Sequence, residues 1–218
     1  MKSKVNVKEY WNKRYESGGN SGAGSYGALR EFKVNFINSF IAENGVSSLV
    51  DLGCGDGSVA SGIVVERYTG LDISKQALIL CEEAVGNPEA RFFCTENFPY
   101  REHAGAFDAA LSMDVIFHLV EDSLFVNYMA NLFSLSGKYV IIYSSDREDD
   151  GTSPCHLKHR KISEYIKESE PEWVLLRAVS NKYPFAGDHV NQSFSDFFIY
   201  RRAQPAVPDS SGSNGRAE

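Results

Sequence analysis

Short apolar runs alternate with longer amphipathic stretches along most of this chain. The runs Ser48 to Leu52, Tyr68 to Asp72, Ala90 to Thr95, Phe107 to Met113 and Tyr139 to Tyr143 predict strands. The last of these is apolar on both faces, as a central parallel strand is. Between the strands lie helical patterns. Leu29 to Glu43 repeats Phe32, Phe36, Ile37, Phe40 and Ile41 at three- and four-residue spacing, and Asn44-Gly45 stops it. Ser74 is an N-cap type of residue for a helix to about Val85, which Gly86-Asn87-Pro88 breaks. Glu121 to Leu135 is predicted to turn Leu124, Phe125, Tyr128, Met129, Leu132 and Phe133 inward. Val7 to Glu16 is a short amphipathic helix, Ser58 to Val65 reads as a helix start, and a helix from His156 to Glu168 follows the polar loop Ser144 to Pro154. Trp173 to Val179 and Phe194 to Tyr200 have no long helix between them, so they predict an antiparallel pair at the sheet edge.

Strands alternating with helices predict an α/β fold of three layers with right-handed crossovers. Two stretches lack periodicity. Residues 17–27 are rich in glycine and serine, and read equally as a linker or as a flexible lid. From Ala203 the chain is Pro, Ser, Gly and charge, which predicts a disordered tail over 203–218.

Composition narrows the picture. A length of 218 residues suits one domain, and 43% apolar residues suits a globular one. A net charge of −7 argues against general nucleic-acid affinity, because no basic excess neutralises phosphates. Cys54, Cys81, Cys94 and Cys155 lack C-x-x-C spacing. Cys81 and Cys94 read as buried thiols, and the four together imply a reducing compartment. No apolar run reaches transmembrane length, so a soluble, cytoplasmic protein is expected.

The chemistry concentrates at Val50-Asp51-Leu52-Gly53-Cys54-Gly55-Asp56-Gly57-Ser58. A strand runs into three glycines, which permit positive φ and close approach of a ligand. Asp72 closes the next strand, about 20 residues on, where doubly wound folds grip ribose hydroxyls. Ser58 stands where the dinucleotide fingerprint has its third glycine, and no Gly-Lys-Ser/Thr of a phosphate loop follows. The motif resembles the acidic-x-Gly-x-Gly-x-Gly signature of class I S-adenosylmethionine (SAM)-dependent methyltransferases. The resemblance covers roughly residues 7–202, and implies a Rossmann-like seven-stranded sheet of order 3-2-1-4-5-7-6 with the last strand antiparallel. It further implies a methyltransferase domain over 31–202, preceded over 1–30 by the N-terminal helix and glycine-rich segment.

By the family pattern Asp51, Gly53, Cys54, Gly55 and Gly57 surround the methionine part of SAM, and Asp72 with the adjoining Ile73 meets the ribose. After the third strand, one alignment puts Cys94 at the usual acidic position and a small shift puts Glu96 there. Glu96 or Asn97 then contacts adenine, with Phe98 packing on the ring; a solvated Glu96 is the plain reading. Ser112, Met113, Asp114 and His118, at the end of the fourth strand, fall near the reacting sulfonium. Trp11 and Tyr15 belong to a Tyr-Trp-x-x-Arg-Tyr segment similar to ones that fold over the SAM site.

An oxygen nucleophile must lose a proton to a base. His118 is the first candidate, with Asp114 and His156 behind it. Packing is the plainer reading of His118, and Asp114 reads also as a cap for the following turn. His156 and His159 with Lys158, Arg160 and Lys161 suggest a solvated basic helix start or a site for an anionic acceptor; no third ligand joins the histidines to make a metal site. The expectation is SAM-dependent methylation of a small molecule, on a hydroxyl oxygen of a sugar or an anionic acceptor, giving S-adenosylhomocysteine, with no nucleic-acid or membrane partner. A non-catalytic SAM-binding subunit is the rival, and an NAD-dependent oxidoreductase a weaker one.

Overall fold

The computed structural model describes residues 6–203, so the expected tail beyond Ala203 lies outside the described residues. One sheet runs through the molecule. Its strands are β1 (Ser48–Leu52), β2 (Arg67–Asp72), β3 (Arg91–Cys94), β4 (Phe107–Met113), β5 (Ser136–Ser144), β6 (Trp173–Val179) and β7 (Asp196–Arg202). Their order is β3-β2-β1-β4-β5-β7-β6, as expected. β1 to β5 are parallel to one another, and β7 runs antiparallel to both β5 and β6.

The central strands are apolar on both faces because both faces are covered. Val50, Leu52, Leu71, Ala110, Val140 and Ile142 face α4 (Asp122–Leu135) and α5 (Ile162–Ser169). Leu49, Tyr68, Ala109, Leu111, Ile141 and Tyr143 face α2 (Gly27–Asn44) and α3 (Lys75–Ala84). Ile37, Phe40 and Ile41 form the buried stripe of α2, which ends at Gly45 in the left-handed conformation. Ser74 caps α3 by accepting from the Ala77 N–H. A short helix, α1 (Val7–Glu16), is capped by Asn6.

Four expectations need correction. Ser58 to Val65 does not start a helix; a single 3₁₀ turn at Ala60–Gly62 leads to β2. The β-branched Ile63, Val64 and Val65 are poor helix formers, and α2 occupies the space beside them. A Cβ on Gly62 would sit 2.9 Å from both methyls of Val34, while Asn38 bonds Gly62 O and Val64 N–H at 2.8 Å each. The helix expected from His156 begins only at Ile162. The residues before it are pinned elsewhere, Lys158 N–H to Phe117 O and His159 N–H to Asp149. Leu124 points outward and is 42% exposed. Cys94 is half-buried, unlike the buried Cys54 and Cys81. Among the described residues no helix is long and apolar enough to cross a membrane.

Candidate active site

The parallel strands end together on one edge of the sheet, where open α/β sheets bind ligands. A cavity of about 290 Å³ opens there. Its floor is the end of β1 with the turn Gly53 to Asp56. The ends of β2 (Asp72, Ile73) and β4 (Met113 to Val115) flank it, and Tyr128 and Asn131 of α4 close one side. Val7, Trp11, Tyr15 and Ser21 cover it from the N-terminal segment.

Two buried carboxylates define its electrostatics. Asp51 accepts from Tyr68 OH at 2.8 Å through one oxygen, while the other, Oδ1, is buried without a partner. Burial pushes its carboxyl up to about 7, against the pull of the Tyr68 hydrogen bond. Asp72 accepts from Ser74 N–H at 2.8 Å and Gly55 N–H at 2.9 Å. Burial raises it to about 6, and those backbone bonds keep it from going higher. Each of its oxygens keeps a further lone pair.

The N-terminal segment is tied to the glycine turn. Ser21 N–H and Tyr26 OH both donate to Asp56 Oδ2, at 2.8 and 2.7 Å, and Asp56 N–H returns a bond to Ser21 Oγ at 3.0 Å. Burial opposes the Asp56 charge, but these bonds outweigh it and hold the carboxyl below its usual range. Tyr15 OH meets Ser21 Oγ at 2.9 Å. Gly53 and Gly55 have φ of 95° and 58°, where a side chain is strained. What fills the space beside them is protein: a Cβ on Gly55 would lie 2.4 Å from Ser21 Oγ, and one on Gly53 2.4 Å from Val115 Cγ2.

At the end of β4, Asp114 has φ 57°, the one non-glycine residue with positive φ among those described. Its Oδ2 accepts from Lys33 Nζ and its Oδ1 from Ser195 Oγ, each at 2.8 Å. Lys33 is 1% exposed and lies 5.3 Å from the centre of the Tyr143 ring. His118 lines the cavity, with Nδ1 3.4 Å from His156 O. Burial pushes its imidazole down to about 4, so it is neutral at physiological pH instead of titrating near 6.5.

Comparison with known proteins points one way. Residues 50–141 match the model of a methyltransferase domain. The chain is 30% identical over 148 residues to the tRNA (carboxymethyluridine(34)-5-O)-methyltransferase alkbh8 of Xenopus tropicalis; the match takes in 65% of the chain and 23% of that larger protein. Solved structures share the fold. Magnesium protoporphyrin IX methyltransferase (ChlM) of Synechocystis PCC 6803 with bound SAM has a TM-score of 0.64 at 14% identity, covering 92% of this chain and 99% of that one. The methyltransferase domain of bacterial CtHen1-C gives 0.63 at 16%, covering 81% and 100%.

The methyl donor implied by the glycine-turn motif is SAM. It carries an ammonium, a sulfonium and a ribose diol, and the cavity fits those groups. The orphaned Asp51 oxygen suits a cation, the spare lone pairs of Asp72 suit two hydroxyls, and Ile73, Leu119 and Leu124 offer apolar surface.

The cavity brings together Asp51, Gly53, Cys54, Gly55, Asp72, Ile73, Glu96, Met113, Asp114, His118, Trp11 and Tyr15. It leaves out four residues expected there. Gly57 packs on α3, where a Cβ would lie 2.8 Å from Cys81 Cα. Ser112 is buried behind the cavity, its hydroxyl on Tyr128 OH at 2.7 Å. Asn97 is exposed, and His156 stacks on His118 from outside. Phe98 is buried in the core, so Tyr100 lines the cavity in its place. Glu96 pairs with Lys8 at 2.6 Å. Lys158 and Arg160 are held by Asp122 and Lys161 by Asp146, so the basic stretch after β5 is spent in ion pairs. His159 is buried against Ser145 Oγ at 2.7 Å.

Sequence reasoning missed Lys33, Ser21, Asp56, Tyr26, Tyr128 and Ser195. Lys33 left a signal: it falls in line with Leu29 and Ile37 on the buried face of α2, where an unpaired lysine would be costly.

Proposed function

We propose that the protein transfers the methyl group of SAM to an oxygen of a small acceptor, releasing S-adenosylhomocysteine. The observation that carries this reading is the pair of buried carboxylates around a positive-φ glycine turn, one with an oxygen left unpaired. Asp51 holds the ammonium end of SAM, Asp72 its ribose hydroxyls, and Ile73 with Thr95 and Glu96 the adenine side. Bound SAM supplies a methyl group already activated by its sulfonium. The chain therefore has to align and to exclude water. Met113, Val115 and Trp11 surround the place where the methyl would sit, and His118 presents a neutral imidazole to it. Both Asp114 oxygens are engaged, so the carboxylate acts as an anchor for that rim and not as a free base.

Calorimetry tests the cofactor assignment. SAM and S-adenosylhomocysteine are expected to bind and NAD not to, and Asp72→Ala should weaken SAM binding by about 1–3 kcal/mol. NAD binding without SAM binding would sink the reading. Release of S-adenosylhomocysteine with acceptor separates an enzyme from a silent SAM-binding subunit. The Xenopus relative is named for methylating an oxygen of a carboxymethyluridine in tRNA. Turnover of total tRNA in preference to small acids would move the acceptor to that class.

We further propose that residues 7–30 act as a lid over the SAM site. Ser21 and Tyr26 latch it to Asp56, on the same turn that cradles the donor. Amide exchange over 7–30 is expected to slow when S-adenosylhomocysteine binds, and to quicken in Asp56→Ala. Equal exchange with and without ligand would leave a fixed cover in place of a lid.

A further inference from the structure

Four aromatic rings close a cycle at the rim of the cavity. Tyr10 meets Trp11 edge-on at 5.3 Å and Trp11 meets His118 edge-on at 5.1 Å; His118 stacks on His156 at 6.1 Å and His156 on Tyr10 at 5.6 Å. Trp11 and His118 line the cavity, and the other two back them. Their planes are 89° apart, so they form two walls of a right-angled corner. Such a corner accepts a flat ring, face against one wall and edge against the other. Beside it the lining is apolar, from Val7, Met113 and Leu119. A saturated, hydroxyl-rich ring needs several hydrogen-bond partners on burial, and the corner does not offer them. A sugar, one of the acceptors expected from the sequence, fits it poorly.

Arg14 brings a cation to the corner, and Asp114, tied to Lys33 and Ser195, an anion. The Arg14 guanidinium lies 5.8 Å from the centre of the Trp11 ring, and its charge helps keep His118 unprotonated. A guanidinium pairs with a carboxylate in directed, charge-assisted hydrogen bonds. Proton removal points the same way. Burial makes His118 a weak base, and both Asp114 oxygens are occupied, so the acceptor oxygen has to arrive ionised.

We propose that the acceptor is a planar aromatic carboxylate, its ring in the Trp11–His118 corner and one carboxylate oxygen toward Arg14. The inference rests on the SAM-dependent reading above. The other carboxylate oxygen forms the new C–O bond as the C–S bond of the methyl donor breaks, and sulfur keeps that electron pair. Anion and sulfonium become a neutral ester and a neutral thioether, and no proton moves.

The chain has two tryptophans, Trp11 and Trp173, so W173F makes Trp11 the sole reporter. With S-adenosylhomocysteine bound, benzoate is expected to quench Trp11 emission saturably and at least about tenfold more tightly than cyclohexanecarboxylate or benzyl alcohol. R14Q should lower benzoate affinity about tenfold while S-adenosylhomocysteine affinity stays as it was. With SAM, benzoate should give methyl benzoate and benzyl alcohol no ether. Equal affinity for benzoate and its saturated counterpart, or faster methylation of the alcohol, overturns the inference and leaves the SAM reading intact. Failure of S-adenosylhomocysteine to bind overturns both. Should W173F not fold, the same ligands are titrated into the unaltered protein by calorimetry, with the same outcomes.

Discussion

Replacing Asp51 by Asn is expected to stabilise the ligand-free protein at pH 8 by about 2 kcal/mol and to weaken SAM binding at least about tenfold. Burial raises the Asp51 carboxyl from 3.8 to about 7. At about 1.4 kcal/mol per unit, ionising it in the fold costs roughly 4 kcal/mol at most. Asn keeps the Tyr68 bond but leaves an amide N–H where the orphan oxygen was, which takes back about half of the gain. The pH dependence follows from the sign. A carboxyl raised on folding contributes stability below pH 4 that is lost as pH climbs through about 7, and Asp72, raised to about 6, acts in the same direction. His118 works oppositely. Its folded value is lowered to about 4, so its contribution is intact above pH 6.5 and is lost as pH falls toward 4. The two carboxyls outweigh the histidine between pH 4 and 6, so the ligand-free protein should lose stability as pH rises from about 4 to about 7. Urea unfolding from pH 4 to 8 checks this: D51N should remove most of that fall. If D51N and the parent unfold alike at pH 8, the buried charge is not what limits stability there.

Replacing Lys33 by Met is expected to destabilise the fold by about 3 kcal/mol, because it strips the cation from a largely buried carboxylate. The Lys33 side chain is 1% exposed and Asp114 20% exposed, so some water can reach the abandoned acid and the effect sits at the low end for buried pairs. The consequence is also local. Asp114 holds a left-handed backbone that a non-glycine residue adopts under constraint, and Lys33 from α2 with Ser195 beside β7 supplies that constraint. Adding Asp114→Asn to Lys33→Met should restore at least half of the lost stability, since no buried charge then stands alone. A loss under about 1 kcal/mol for the single change would show that the pair anchors nothing.

The sheet was legible in the sequence because each central strand is a short apolar run with a marked end. β1, β4 and β6 occupy the expected residues. The Asp51, Gly53, Gly55 and Asp72 cluster was legible for a related reason: glycine and carboxylate at a strand end have few other uses. Long-range pairing was not legible. Nothing local says that Ser21 and Tyr26 reach Asp56, that Lys33 reaches Asp114, or that Arg160 is spent on Asp122. The histidines show the same limit. His118, His156 and His159 are close in kind and in sequence, yet one lines the cavity, one backs it and one is buried on Ser145. The helix expected after the glycine turn failed because a preceding element had taken its place.

That replacement bears on where this chain can be cut. The segment that matches the family model begins inside β1 and ends inside β5, but self-sufficiency does not follow those borders. α2 supplies Ile37, Phe40 and Ile41 to one sheet face, Asn38 to the β1–β2 connection and Lys33 to the β4 rim. β7 lies against β5 and supplies Phe197 and Ile199 to the same face. A fragment trimmed to the homologous stretch would carry the signature residues on a sheet with one side stripped. Excision or grafting of the catalytic unit into another protein has to take Val7 through Arg202 as a single piece, since Trp11, Tyr15 and Ser21 line the cavity.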